Sequence, residues 1–151
     1  MLRCLDDPGI GLVGPVTNSV GNEARVAVSY QHLDDMHEFA RSHMRAHRSV
    51  SFDIAVLAMY CLAMRRDTFE KIGLLDENFA VGMFEDDDYA NRARNAGYRV
   101  VCTEESFVHH AGQAAFSALI KTGEYQVVWQ RNQAYYESKW GKWVAHKHRA
   151  T

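Results

Sequence analysis

Apolar positions in this chain fall either into unbroken runs or into stripes at helical spacing. Ile10 to Val16 (IGLVGPV) is an unbroken run between the Asp7-Pro8-Gly9 turn and a polar loop, Thr17 to Asn22. A run of this length and kind predicts a strand buried on both faces. Leu33, Met36, Phe39, Ala40, His43, Met44 and His47 follow the helical repeat, which predicts an amphipathic helix from Leu33 to His47. Ser49 to Asp53 reads as a loop, and Ala55 to Met64 (AVLAMYCLAM) as a second buried strand. Asp67 with Glu70 three residues on has the form of a capping box for a short helix, Thr68 to Ile72, that stops at Gly73. A further helix runs from Asp86 to its C-cap at Gly97, followed by a third strand, Tyr98 to Thr103, and a fourth, Ser106 to His109. After Gly112 the stripes Phe116-Leu119-Ile120 and Tyr125-Val128-Trp129-Asn132-Tyr135-Tyr136 predict helices that end at Gly141. Aromatic stripes of this kind are more often core than cofactor contacts. Strands alternating with helices give an α/β fold with a mixed or parallel sheet and a helical C-terminal extension, read as a single domain over residues 1–151.

Composition narrows the function more than the fold. With 151 residues the chain can bury a real core, and 47% hydrophobic with 24% charged residues is ordinary for a globular protein. A net charge of −2 offers no electrostatic reason to expect nucleic acid. The longest apolar run is too short to span a bilayer, and no signal peptide is visible. Cys4, Cys61 and Cys102 have no CxxC spacing and read as reduced thiols of a cytoplasmic protein. The basic tail His146-Lys147-His148-Arg149 reads as a frayed, solvated end. Neither a dinucleotide-binding nor a P-loop glycine motif occurs.

The candidate chemistry centres on Glu85-Asp86-Asp87-Asp88, at the start of a helix that lies one strand ahead of His109-His110. Adjacent acids repel, and a helix N-terminus tolerates them best because free N–H groups and the macrodipole favour negative charge there. Capping alone would explain one of them. The helical repeat says more: Asp86, Ala90, Ala93 and Gly97 form a stripe of small residues that should face the protein. Asp87 sits above Asn91 and Asp88 above Arg92, on faces expected to be exposed. Asp86 is therefore expected to point into a cleft, where like charges raise its pKa towards that of a general base. With the His pair, the cluster suggests a divalent-metal or proton-transfer site. His43 and His47 also have metal-ligand spacing, but no Glu follows His43 and the helix is rich in Arg, so they read as a partly exposed helix edge. Asn18 and Asn22 lie on the loop at the ligand-bearing end of the first strand, though each would also serve as a turn former.

The chain resembles the C-terminal half of a family 2 glycosyltransferase of the GT-A fold. The matching stretches are Gly11 to Asn18, Cys61 to Phe69, Ile72 to Phe79, Gly82 to Tyr89, Arg92 to Val100, Val108-His109-His110 and Lys139 to Trp143. The resemblance implies inverting transfer from a nucleotide-sugar donor to a saccharide or lipid-linked acceptor. It implies Asp86 as catalytic base, Glu85 and Asp87 as acceptor contacts, and a Mg or Mn ion held by His109, with His110 as the fallback. Asn18 joins Glu85 and Asp87 as an expected substrate contact. In such enzymes a nucleotide-binding half with an Asp-x-Asp motif precedes the first strand seen here, whereas only Met1 to Gly9 do so in this sequence. A truncated or split enzyme, poorly active alone, is expected on that ground, and with it a homo-oligomer or a partner carrying the missing half. The alternatives are a non-catalytic acceptor-binding or interaction module and a hydrolase using Glu104-Glu105 as the second acid.

Overall fold

The computed structural model describes residues 1–111 and 116–149. Among these residues three strands form one mixed sheet in the order β1-β3-β2. Strand β1 (Ile10–Val16) runs parallel to β3 (Arg99–Phe107), and β2 (Ser51–Asp53) pairs antiparallel with β3. Every residue of β1 is buried, as an unbroken apolar run requires. Its glycines permit close approach: a Cβ on Gly11 would lie 2.5 Å from the Tyr98 Cβ, and one on Gly14 2.6 Å from the Leu57 side chain.

Helices α1 (Leu33–Ala46), α2 (Arg66–Ile72) and α3 (Glu85–Asn95) surround the sheet, with α4 (Ser117–Thr122) and α5 (Tyr125–Trp140) completing the chain. Leu12, Val16, Ile54, Tyr89, Ala93 and Cys102 belong to the main core. A second, aromatic core gathers Phe79, Met83 and Phe84 against Trp129, Tyr136 and Trp143. The α/β class, the mixed sheet and the helical extension expected from the sequence are all present. The cysteines are free thiols, and no helix among the described residues is long and apolar enough to cross a membrane. Gly112, read as the turn into the final helices, lies outside the described residues.

Four local expectations are corrected. Ala55 to Met64 is not a strand. It meets β1 through one bridge, in which Val13 N donates to Ala63 O (3.0 Å) and Ala63 N to Val13 O (2.8 Å). Val56 and Leu57 are nonetheless buried: an apolar run records burial, not ladder pairing. Ser51–Asp53, read as loop, is instead the strand that pairs with β3. The third and fourth strands are one strand, interrupted in its pairing where the register jumps from Pro15↔Thr103 to Val16↔Phe107. The capping box does not form. Helix α2 begins at Arg66, the Asp67 carboxylate accepts from Thr68 N (2.7 Å), and Glu70 pairs with Arg66 (2.9 Å). The cap position belongs to Arg65, whose guanidinium donates to the carbonyls of Leu5, Asp7, Pro8 and Ile10 and so fastens the helix start to the N-terminal turn.

Candidate active site

Helix α3 is entered through a strained turn. Gly82 has φ 112°, and the next two residues, Met83 (73°) and Phe84 (71°), are left-handed although neither is glycine. Such conformations cost roughly 1–2 kcal/mol each and persist only where the surroundings enforce them. Here the wholly buried Asn132 of α5 enforces them, its amide donating to the carbonyls of Phe79 (2.6 Å), Gly82 (2.6 Å) and Met83 (3.2 Å). Phe84 is wedged between Trp129 (ring centroids 4.9 Å apart) and Trp143 (5.4 Å). The turn sets the direction in which the acidic run leaves it. Asn132→Ala is expected to lower stability by about 2 kcal/mol, since it strands buried carbonyls, and a lower urea midpoint at unchanged slope would show it.

The acids open onto a cavity of about 530 Å³. Asp86, Glu85, Tyr60, His110, Trp143 and His146 are among the residues lining it. It lies at the end of the sheet where both parallel strands terminate, the usual ligand position in open α/β sheets. Asp86 and the small-residue stripe behave as the helical repeat implies: Ala90 and Ala93 are buried, and Asp86 faces the cavity. Burial pushes the Asp86 carboxyl up to about 7, with the charges of Glu85 and Asp87 adding to the rise. The Asp86 Oδ1 accepts from Asp87 N (3.0 Å), which fixes the carboxylate plane. Burial also raises Glu85, and its Oε2 is a buried oxygen with no hydrogen-bond partner among the described residues.

Asp87 and Asp88 do not face solvent, contrary to their helical positions. Asp87 is 6% exposed, and its Oδ1 accepts from the Trp143 indole (3.1 Å) and lies 2.8 Å from His146 Nε2. That hydrogen bond to Asp87 lifts the His146 pKa above the ordinary histidine range. Asp88 is fully buried between Arg92 Nε (2.9 Å), the Trp140 indole (2.9 Å) and Lys139 Nζ (2.6 Å). The C-terminal segment, read as a frayed end, instead folds back over α3. His146 meets Asp87, and Arg149 meets Glu104 (3.0 Å) and the Phe52 ring (4.7 Å). Trp143 and His146 are thus site residues that periodicity did not reveal. The available signal was complementary charge, a basic tail in a chain with a buried acidic helix.

Asn18 and the histidines after β3 are brought together, each to a different end. Asn18 Oδ1 accepts from His110 N (2.8 Å) and its amide donates to His110 O (3.2 Å), so it holds the exit of β3 against the loop after β1. The His110 ring stacks on Tyr60 (4.8 Å, 12°) with Nδ1 2.7 Å from Ser19 O, at the cavity wall. The Nδ1 of His109 lies 2.6 Å from the Tyr30 hydroxyl, on the side facing α1. Among the described residues, the group that places three ligand atoms within reach of one ion is His43, His47 and Glu104, and it includes none of Glu85, Asp86, Asp87, His109 and His110. Neither Glu104 nor Glu105 lines the cavity. Glu104 faces Arg149, and Glu105 is bound by Arg3, so a hydrolytic acid pair across from Asp86 is not formed.

A family model described as "Glycosyltransferase like family 2" matches residues 1–126, a span that includes the whole sheet, the strained turn and the acidic helix. No curated protein and no solved structure matches the chain.

Proposed function

Because the chain belongs to the glycosyltransferase-like family 2, we propose that its cavity is the acceptor site of an inverting glycosyl transfer with Asp86 as general base. Its sheet and helices are then those of a partial GT-A-like fold. The observation that carries the proposal is a carboxylate facing the cavity whose proton affinity is raised to near neutrality. A base poised near the working pH combines a useful deprotonated fraction with a strong pull on the proton.

In the proposed reaction an acceptor hydroxyl gives its proton to Asp86 as its oxygen attacks the anomeric carbon of a nucleotide-sugar. The bond to the acceptor oxygen forms while the bond to the leaving diphosphate breaks, and the electron pair departs on the diphosphate. Asp86 Oδ1 is engaged by Asp87 N, which leaves the other oxygen to take the proton. The partnerless Oε2 of Glu85 accepts from a second sugar hydroxyl. His110, with Nδ1 on Ser19 O, presents Nε2 as an acceptor at the cavity wall. Aromatic rings such as Tyr60 and Trp143 supply flat apolar surface for a sugar face. Asp87, held by Trp143 and His146, acts as a fixed charge that raises Asp86, and it also lines the cavity as a second acceptor contact beside Glu85.

The test is a transfer assay across pH with a panel of nucleotide-sugars and saccharide acceptors. Protonated Asp86 cannot accept the acceptor's proton, so kcat/KM is expected to rise tenfold per pH unit below about 7 and to level off above it. A profile flat from pH 5 to 8 would remove Asp86 from the proton transfer.

A further inference from the structure

We propose that His43, His47 and Glu104 bind one divalent transition-metal ion of the zinc class, clamping helix α1 to strand β3. This site is separate from the cavity and does not rest on the transfer reading.

The geometry comes first. His43 on α1 and His47 at its C-terminal cap stand one turn apart with rings stacked at 4.1 Å. The Nε2 atoms of both point at the same oxygen, Glu104 Oε2, and each lies 3.7 Å from it. The three ligand atoms all fall within 4.8 Å of one another. At 3.7 Å neither contact is a hydrogen bond. It is instead close to the spacing of two ligands around one ion, since donors about 2.1 Å from a tetrahedral zinc lie about 3.4 Å apart.

The hydrogen bonding around the three residues points the same way. His43 Nε2 is buried and has no hydrogen-bond partner among the described residues, a state that needs an explanation in a folded protein. His47 Nδ1 lies 2.9 Å from the His43 carbonyl, which places the proton on Nδ1 and turns the Nε2 lone pair towards Glu104. Glu104 uses its other oxygen to accept from Arg149 (3.0 Å), which orients the carboxylate and leaves Oε2 for an ion.

Two imidazoles and one carboxylate form a borderline donor set that suits zinc, cobalt or nickel better than magnesium or calcium. A fourth ligand has room, because His43 also lines a separate cavity with Tyr30 and Phe39. The side chain of His47 is 39% exposed, which gives an ion a way in. A clamp here would add to the packing of Met36, Phe39 and Ala40 against the main core, on a helix that contains no fully buried residue.

The experiment uses the full chain without added histidines, stripped with a chelator, dialysed, and titrated with zinc chloride against a chromophoric chelator. One equivalent is expected to bind at micromolar Kd or tighter, and cobalt(II) in its place should give the intense visible absorption of a four-coordinate ion. His47→Ala is expected to weaken zinc at least about 100-fold and to abolish the zinc-induced rise in Tm. Asp86→Asn should leave zinc binding unchanged. Absence of stoichiometric binding, a weakly absorbing six-coordinate cobalt spectrum, or undiminished binding by His47→Ala would each overturn the site. The cobalt spectrum of the unsubstituted chain decides the matter even if the variant does not fold.

Discussion

Asp86→Asn is expected to abolish transfer and, at neutral pH and above, to make the fold more stable. Asparagine keeps the size and the oxygen that accepts from Asp87 N, but it cannot take a proton. Loss of a positioned general base costs about 10²- to 10⁴-fold in kcat, and acceptor KM should change little because the hydroxyl contacts remain. The stability effect follows from linkage. Asp86 titrates near 7 in the folded chain against an ordinary 3.8, so the folded state holds this proton to higher pH than the unfolded state does. Below the ordinary value both states are protonated and the group costs nothing. The cost grows as pH rises between the two values and is complete above the folded one. Removing the charge should therefore raise stability by on the order of 4 kcal/mol at pH 8 and by nothing near pH 3. A simple helix cap predicts the opposite sign, because losing a favourable N-terminal charge destabilises by about 0.3–1 kcal/mol. A non-catalytic interaction module predicts no loss of transfer. Urea titrations at two pH values, together with one activity assay, separate all three.

Asp88→Ala is expected to be the most destabilising single change in the acidic run. The Asp88 carboxylate is fully buried and joins three elements of the site, receiving Arg92 from its own helix and Lys139 and Trp140 from the end of α5. Removing one member of such a buried set leaves its partners' charges uncompensated, at a cost of about 3–5 kcal/mol. Lys139 retains Asp76 at 2.7 Å, and this ion pair holds the Asp76 carboxyl well below the usual aspartate range. Arg92 keeps its bond to the Ile72 carbonyl and its position over the Tyr89 ring (4.7 Å), but loses its charged partner. The loss should appear as a fall in urea midpoint far beyond that of Asn132→Ala. A change below about 1 kcal/mol would mean that the network contributes no more than an exposed pair.

These residues also show where sequence patterning reaches and where it stops. Strand β1, helices α1, α3 and α5, and the inward aim of Asp86 follow from runs and stripes, because burial of a face repeats at the period of the element. The fate of Asp87 and Asp88 does not follow. Helical spacing puts them on outer faces, and they are buried only because α5 and the tail bring Lys139, Trp140, Trp143 and His146 over the start of α3. The choice between His109 and His110 rests on loop contacts to Tyr30, Ser19 and Tyr60 that no local pattern encodes. His43 and His47 had visible spacing, but their third ligand, Glu104, arrives from a distant strand. In each case a local period was legible and the long-range partner was not.

The most direct measurement is a carbon-13 NMR titration of the Asp86 side-chain carboxyl in the full chain, assigned by its disappearance in Asp86→Asn. A midpoint near 7 is expected for a base held in the cavity beside Glu85 and Asp87. A midpoint at or below about 4, the range of an ordinary exposed aspartate, would contradict it.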